Sequence, residues 1–250
     1  MQINLHGKIA LITGASGQLG RVMARTLADC GAAVAVHYNR NKEKAEQIAA
    51  EINDGGGRAL AVQADITDFD SVMAMRDIIA KKLGDPDIVV NNAVIQYHWK
   101  TILEQDLKDF QSQFDSCVMQ SVHTAKVFLP AMIKKGGGRF IGINTECSAK
   151  CEESSGAYAS AKRGMDGLYK VLAKEVGKHN ITVNQVAPGW TVSDRDRENG
   201  TADAPGYSAR VPLGRRGTDQ EIANAVLFFA SDLATFITGH CLPVSGGAVM

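Results

Sequence analysis

A chain of 250 residues has room for one α/β domain of ordinary size or two small ones, and ample length to bury a core. Its 27 basic and 27 acidic residues cancel, which removes the electrostatic case for nucleic acid or an anionic membrane surface and points to a small-molecule partner. Aromatics are only 6% of residues against 45% apolar overall, as in parallel strands buried under helices, and no apolar run approaches the roughly 20 residues a bilayer span needs.

The first apolar run, Ile9 to Thr13, is too short for a signal-peptide core, so a cytoplasmic protein is expected. Cys30, Cys117, Cys147, Cys151 and Cys241 form an odd set with no Cys-x-x-Cys pair, which argues for free thiols rather than a disulfide framework. No His/Cys set has zinc spacing, and no metal is expected.

The first run leads directly into Gly14-Ala-Ser16-Gly17-Gln18-Leu19-Gly20 and a helical pattern through Val22, Met23, Leu27 and Ala28. Strand, glycine turn and helix together aim backbone N–H groups and a helix N-terminus at a phosphate, so a dinucleotide is expected here. Gly14 permits the tight turn, Gly17 the close approach of a pyrophosphate, and Gly20 the packing of helix on sheet. A second strand, Ala32 to Val36, ends in His37-Tyr38-Asn39-Arg40. A site preferring NAD places an acid near this point, and none occurs between 30 and 42. Arg40 and Asn39 suit a 2′-phosphate instead, which favours NADP(H) over NAD(H).

A helix over 42–53 and a Gly55-Gly56-Gly57 break lead to a third strand, Ala59 to Gln63, then Ala64-Asp65-Ile66-Thr67, where Asp65 is a candidate helix cap. Helix 68–83 precedes a fourth strand, Ile88 to Val90, which delivers Asn91-Asn92-Ala93. Alternation at this rate means right-handed crossovers and a parallel sheet with ligands at the carboxyl ends of its strands.

Helical patterning then continues over 104–134 and stops at Gly136-Gly137-Gly138. The fifth strand, Phe140 to Ile143, delivers Thr145, whose hydroxyl suits a carbonyl or alcohol oxygen. A helix starting after Ser154-Ser155-Gly156 sets Tyr158 and Lys162 four apart on one face. A free tyrosine has a pKa of about 10, and each unit of downward shift is worth ~1.4 kcal/mol. An ammonium close by is therefore expected to lower the Tyr158 pKa and make it a general acid/base. A sixth strand, Ile181 to Ala187, ends in Pro188-Gly189-Trp190-Thr191. Residues 192–212 lose all periodicity, as a lid or substrate loop does. A helix over 218–230 and a last strand near Leu242 to Val244 complete a single domain over 1–250.

Thr13-Gly14-x-x-Gly17-x-x-Gly20, Asp65, Asn91-Asn92-Ala93, Tyr158-x-x-x-Lys162, Asn184, Pro188-Gly189 with Thr191, and Thr238-Gly239 with Gly246-Gly247 together resemble the short-chain dehydrogenase/reductases. The likeness runs from about Leu5 to Gly247 and is nearest the single-domain kind that includes 3-oxoacyl-carrier-protein reductases and sugar or polyol dehydrogenases. It implies a Rossmann-like doubly wound parallel sheet of about seven strands with helices on both faces. It also implies that Gly14, Ser16, Gly17, Gln18, Leu19 and Gly20 hold the pyrophosphate, Asp65 with Ile66 the adenine, and Asn91 and Ala93 the ribose region. Pro188, Gly189 and Thr191 would meet the nicotinamide end. Tyr158 would be the acid/base acting on a ketone or secondary alcohol, and Lys162 would lower its pKa and bind the nicotinamide ribose. A homotetramer built on helices 104–134 and 155–178 and the last strand is implied as well.

The chain departs from the pattern at Gln18 and Val94, where glycines are usual, at Thr145, where serine is usual, and at Cys117. Cys117, thirteen residues before Pro130, replaces an asparagine that helps hold a relay water beside the lysine; a thiol is a weak substitute, leaving Ser116, Ser121 or local backbone to hold that water. Cys117 and Val94 keep a second class open, a nucleotide-binding sensor or scaffold with little turnover. No Gly-x-Ser-x-Gly elbow supports a triad hydrolase. Candidate substrate walls are Gln96 to Trp99, Cys151 to Ser155, and Trp190 with the 192–212 loop; Arg195, Arg197 and Arg210 are candidates for an anion, and Lys134, Lys135 and Lys178 for an acyl-carrier patch.

Overall fold

Short apolar runs separated by amphipathic helices leave each strand to be covered on both faces, and the computed structural model, which describes residues 3–250, shows that arrangement. The first half contains β1 (Ile9–Ile12), α1 (Gln18–Asp29), β2 (Ala33–Tyr38), α2 (Lys42–Asp54), β3 (Arg58–Gln63), α3 (Phe69–Lys82) and β4 (Ile88–Asn91). The second contains α4 (Leu107–Phe114), α5 (Gln120–Lys135), β5 (Gly138–Ile143), α6 (Cys147–Lys150), α7 (Gly156–Val176), β6 (Ile181–Pro188), α8 (Asp194–Glu198), α9 (Pro205–Ser208), α10 (Asp219–Ala230) and β7 (Cys241–Val244). The seven strands form one sheet in the order β3-β2-β1-β4-β5-β6-β7, and every pairing is parallel.

Ile12 pairs with Val36 on one side and Val90 on the other. After β1 the chain winds outward through β2 and β3, then returns to place β4 on the opposite side, so a crevice opens where the winding reverses. Alternate strand residues feed two cores. Ile12, Val34, Val36 and Val90 pack with Met23 and Leu27 of α1, Ile48 of α2 and Phe229 of α10. Leu11, Ala35, Val89 and Phe140 pack with Met75 and Ile79 of α3, Phe128 and Met132 of α5, and Tyr169 of α7.

Local structure departs from the periodicity in places that bear on the site. The helix expected over 104–134 begins at Leu107 and is interrupted by a π-helical turn, Asp115–Met119, in which Gln120 N–H donates to Asp115 O. The pattern of apolar residues runs through this turn unchanged, which hides it from a period count. Asp68 rather than Asp65 caps α3, accepting from Asp70 N at 3.0 Å. The aperiodic stretch 192–212 is ordered into α8 and α9. Its order comes from long-range pairs: Asp194 meets Arg21 of α1, Asp196 meets Arg216 at 2.7 Å, and Arg197 meets Asp219 of α10 at 2.9 Å.

Candidate active site

A strand that stops at Ile12 must turn sharply to start α1, and Gly14 makes the turn with φ +63°. A Cβ at Gly14 would lie 2.9 Å from Ala93 Cα, and one at Gly20 would lie 2.7 Å from Ala15 Cα, so only glycine lets the turn, β4 and α1 meet. Thr13 Oγ1 accepts from Asn92 N at 2.9 Å and Ala93 N at 3.0 Å, and Asn92 Nδ2 donates to Thr13 O at 2.9 Å. Gln120, at the first residue of α5, donates to Ala93 O at 2.5 Å. The turn is thereby fixed from three directions while its outer face stays open.

His37 adds a fourth fixing point. Gly14 N donates to its Nδ1 at 2.8 Å, and its Nε2 lies 3.1 Å from Ala64 O, which sets the tautomer with the proton on Nε2. Burial drives its pKa down to about 4, against the pull of the Ala64 carbonyl and the Asp65 charge, so the ring is neutral. A histidine at the end of a strand belongs to no motif, and only its position opposite Gly14 reveals this use.

One cleft of about 1240 Å³ runs along the carboxyl ends of the strands. Gly14, Ser16, Gly17, Gln18 and Leu19 line it beside β1; Asn39, Arg40, Asp65 and Ile66 line it beyond β2 and β3; Ala93 and Val94 follow β4. Thr145, Tyr158, Lys162, Pro188, Gly189 and Thr191 line the other half. The bare glycine cradle and the cationic Arg40 end match the shape and charge of a dinucleotide phosphate chain. Gln18 Nε2 donates to Val192 O at 2.8 Å, so the residue that replaces a usual glycine ties the turn to the 192–212 loop.

Gly20, Asn91 and Cys117 do not line the cleft. Gly20 acts by letting α1 approach the turn. Asn91 is buried and its side chain is committed inward, donating to Tyr169 Oη at 2.9 Å and accepting from Thr124 Oγ1 at 2.9 Å. Cys117 lies buried in the π-helical turn, near enough to Tyr158 that its thiolate would raise the phenol pKa. Its carbonyl accepts from Ser121 Oγ at 3.0 Å, and Ser116 Oγ accepts from Ile95 N at 3.2 Å.

In the other half of the cleft, α7 carries Tyr158 and Lys162 on the face toward β5, as four-residue spacing requires. Lys162 is buried, donates to Ile143 O at 2.6 Å and sits 5.6 Å from the centre of the Tyr158 ring. The expected lowering of the Tyr158 pKa is therefore not found. Burial raises it above the ordinary tyrosine value, with Cys117 and Cys147 adding to the rise and hydrogen bonding to Thr145 opposing it. The ammonium serves the strand-end carbonyl rather than the phenol oxygen. Thr145 Oγ1 accepts from Cys147 N at 3.2 Å, so its single proton is the one that bonds the Tyr158 oxygen. Tyr97 Oη accepts from Tyr158 N at 3.1 Å, and the Trp99 ring lies 5.9 Å from that of Tyr158.

The end of the structure around Thr145 and Trp190 holds residues that spacing did not single out. Glu146, next to Thr145, is buried, pairs with Lys150 at 2.9 Å, and accepts from Tyr207 Oη at 3.0 and 3.1 Å. Arg216, also buried, stacks 4.2 Å from the centre of the Trp190 ring and donates to Thr191 O at 2.7 Å. Of the candidate arginines, Arg197 is consumed by Asp194 and Asp219, whereas Arg210 lines the cleft. Lys135 is spent on Asp85 O and Asp87. Among the described residues no His/Cys/Asp/Glu cluster suits a metal ion, and no helix is long and apolar enough to cross a membrane.

Comparison with known proteins agrees with this geometry. The family model described as Enoyl-(Acyl carrier protein) reductase matches residues 14–249. The 3-oxoacyl-[acyl-carrier-protein] reductase FabG of Escherichia coli is 37% identical over 248 residues, covering 99% of this chain and 100% of that protein. The FabG of Staphylococcus aureus is 35% identical over 253 residues, covering 97% and 98%. Among solved structures, a gluconate 5-dehydrogenase from Burkholderia cenocepacia in complex with NADP and tartrate superimposes with TM-score 0.90 at 29% identity, covering 99% of this chain and 97% of that one. A 7α-hydroxysteroid dehydrogenase complexed with NADH and 7-oxo glycochenodeoxycholic acid also gives 0.90, at 34% identity, covering 99% and 96%. The chain belongs to the short-chain dehydrogenase/reductase family, NAD(P)-dependent oxidoreductases that interconvert CH–OH and C=O groups.

Proposed function

We propose that this protein is an NADP(H)-dependent ketone reductase or secondary alcohol dehydrogenase acting on a small 3-oxoacyl, sugar or polyol type substrate, with Tyr158 as acid/base. The observation that carries the reading is one cleft shared by the glycine turn, Arg40, and the Thr145, Tyr158 and Lys162 side chains. Gly14, Ser16, Gly17, Gln18 and Leu19 would hold the pyrophosphate, Asn39 and Arg40 the 2′-phosphate, Asp65 and Ile66 the adenine, and Ala93, Pro188, Gly189 and Thr191 the nicotinamide half. When bound, the nucleotide supplies or accepts the hydride.

The chain's own groups handle the oxygen. Thr145, whose hydroxyl bonds Tyr158, turns its single proton to the substrate oxygen and fixes its place. Tyr158, protonated at neutral pH because burial raises its pKa, donates to that oxygen in the reductive direction. Lys162, anchored on Ile143 O, retains protons for ribose hydroxyls and for proton resupply to the phenol. The 192–212 segment covers the substrate end, with Tyr207 and Arg210 on the cleft wall.

Mixing the purified protein with NADPH and a ketone panel tests the reading: NADPH oxidation that is lost in Tyr158→Phe is expected. NADPH binding with no Tyr158-dependent oxidation defeats it and leaves a nucleotide sensor or scaffold. The odd set of free cysteines fits a reducing compartment, and we place the protein in the cytoplasm. Ile102, Leu103, Leu107 and Phe236 are exposed apolar side chains that support self-association, and a tetramer would show four times the 26.7 kDa chain mass by light scattering.

A further inference from the structure

Glu146 is the feature of the cleft that the proposed chemistry does not use. It follows Thr145 directly, lines the cleft and is 7% exposed, a costly place for a carboxylate. Two partners hold its oxygens: Lys150 pairs with Oε2 at 2.9 Å, and Tyr207 Oη donates at 3.0 and 3.1 Å. Trp190 N in turn donates to that Tyr207 oxygen at 2.9 Å, which fixes the phenol with its proton toward Glu146. Burial and the Glu146 charge push the Tyr207 pKa up to about 12, so this proton stays in place across the working pH range.

A carboxylate has room for about four hydrogen bonds and cannot donate. With its charge already balanced by Lys150, Glu146 offers no net charge to select either a cationic or an anionic substrate. What it can still take is a hydrogen bond from a neutral hydroxyl. At the mouth Glu152 and Arg210, of opposite sign, also line the cleft. Trp99 and Trp190 line it as well, 46% and 51% exposed, and offer flat apolar faces suited to the C–H faces of a hydroxylated carbon chain or ring. An acyl chain would match the tryptophans but strand Glu146 away from water.

We infer that the substrate is a neutral polyhydroxylated ketone or the corresponding polyol, and that Glu146, held by Lys150 and Tyr207, is the residue that selects it by accepting from a substrate hydroxyl. This rests on the oxidoreductase reading above and narrows its substrate class.

The test is a series with NADPH: D-fructose, its monodeoxy analogues, 2-hexanone and acetoacetyl-N-acetylcysteamine. For the wild type, kcat/KM is expected to fall about 100-fold on removal of the hydroxyl that Glu146 reads, because a site built to bond a hydroxyl rejects the analogue lacking it. In Glu146→Leu that penalty is expected to shrink below about 5-fold, with NADPH binding by fluorescence unchanged. Preference for 2-hexanone or the thioester, or a full penalty retained in Glu146→Leu, overturns the inference. If Glu146→Leu fails to fold, the isosteric Glu146→Gln is expected to weaken the penalty about tenfold, and a penalty left intact overturns it equally. A wild type that binds NADPH but turns over nothing sinks the oxidoreductase reading alone. Calorimetric binding of the same series to NADP-loaded protein then decides the role of Glu146: tighter binding of the hydroxylated member supports it, and equal binding refutes it.

Discussion

The two ends of the cleft are built in opposite ways. Around the glycine turn, geometry is carried by backbone and sealed by buried polar side chains: Thr13, His37, Asn92 and Gln120 are each bonded to the turn or to the segment facing it. Around Tyr158 the groups proposed to react are left incompletely partnered, with Lys162 turned to Ile143 O rather than to the phenol oxygen. On the function proposed above, binding is preorganised in the protein alone, whereas the proton-handling geometry is completed by what enters. Preorganisation of the first kind costs nothing at the moment of reaction.

The sharpest way to break the comparison is Tyr158→Phe, which removes the proposed proton donor but no fixing point of the turn. A loss of about 10²–10⁴ in kcat/KM is expected, with NADPH affinity by fluorescence titration nearly unchanged. At the other end, Gly20→Ala puts a methyl against Ala15 and the Gly14 carbonyl. It is expected to cost about 2–3 kcal/mol in urea denaturation and to weaken NADPH binding too.

His37 gives the comparison a pH signature. Its folded pKa of about 4 lies below its ordinary 6.5, so the unfolded chain binds the proton more readily between those values. Its contribution is complete above pH 6.5, falls as pH drops through this window, and is fully lost below about 4, in all roughly 3 kcal/mol. Urea midpoints measured across pH 4–7 check this, and the slope is expected to flatten in His37→Gln. For Tyr158 the sign is opposite: a raised phenol pKa keeps the acid form, so alcohol oxidation is expected to climb from pH 7 towards 10 while ketone reduction stays flat. The smallest effect sharpens the cofactor end: Arg40→Ala is expected to weaken NADPH about tenfold and leave NADH unaffected, as read by fluorescence titration.

What could be read from residue order divides along the same line. The glycine turn and the Tyr158–Lys162 pair are local patterns, so spacing alone locates them, and the parallel sheet follows from alternating strands and helices. His37, Glu146 and Arg216 act through partners 23, 61 and 20 residues away, which no window along the chain contains. The 192–212 segment looked structureless for the same reason, since charged pairs to α1 and α10 order it rather than an apolar stripe. Even the Tyr158–Lys162 pair was legible in place but not in direction, because the competing carbonyl at Ile143 lies 19 residues away from the lysine.

The π-helical turn at Asp115–Met119 carries a consequence for sequence change. It accommodates one residue more than a regular helix would, and a helix turns about 100° per residue. Deleting a single residue there would make a smoother, locally more stable rod. Because the bulge absorbs that extra residue, Gln120 and Thr124 would still face Ala93 and Asn91. Loss of one amino acid at this point would thus leave the lip at Ala93 in place, whereas the same loss between Gln120 and Thr124 would act as a rotation error of about 100°, felt a full strand away.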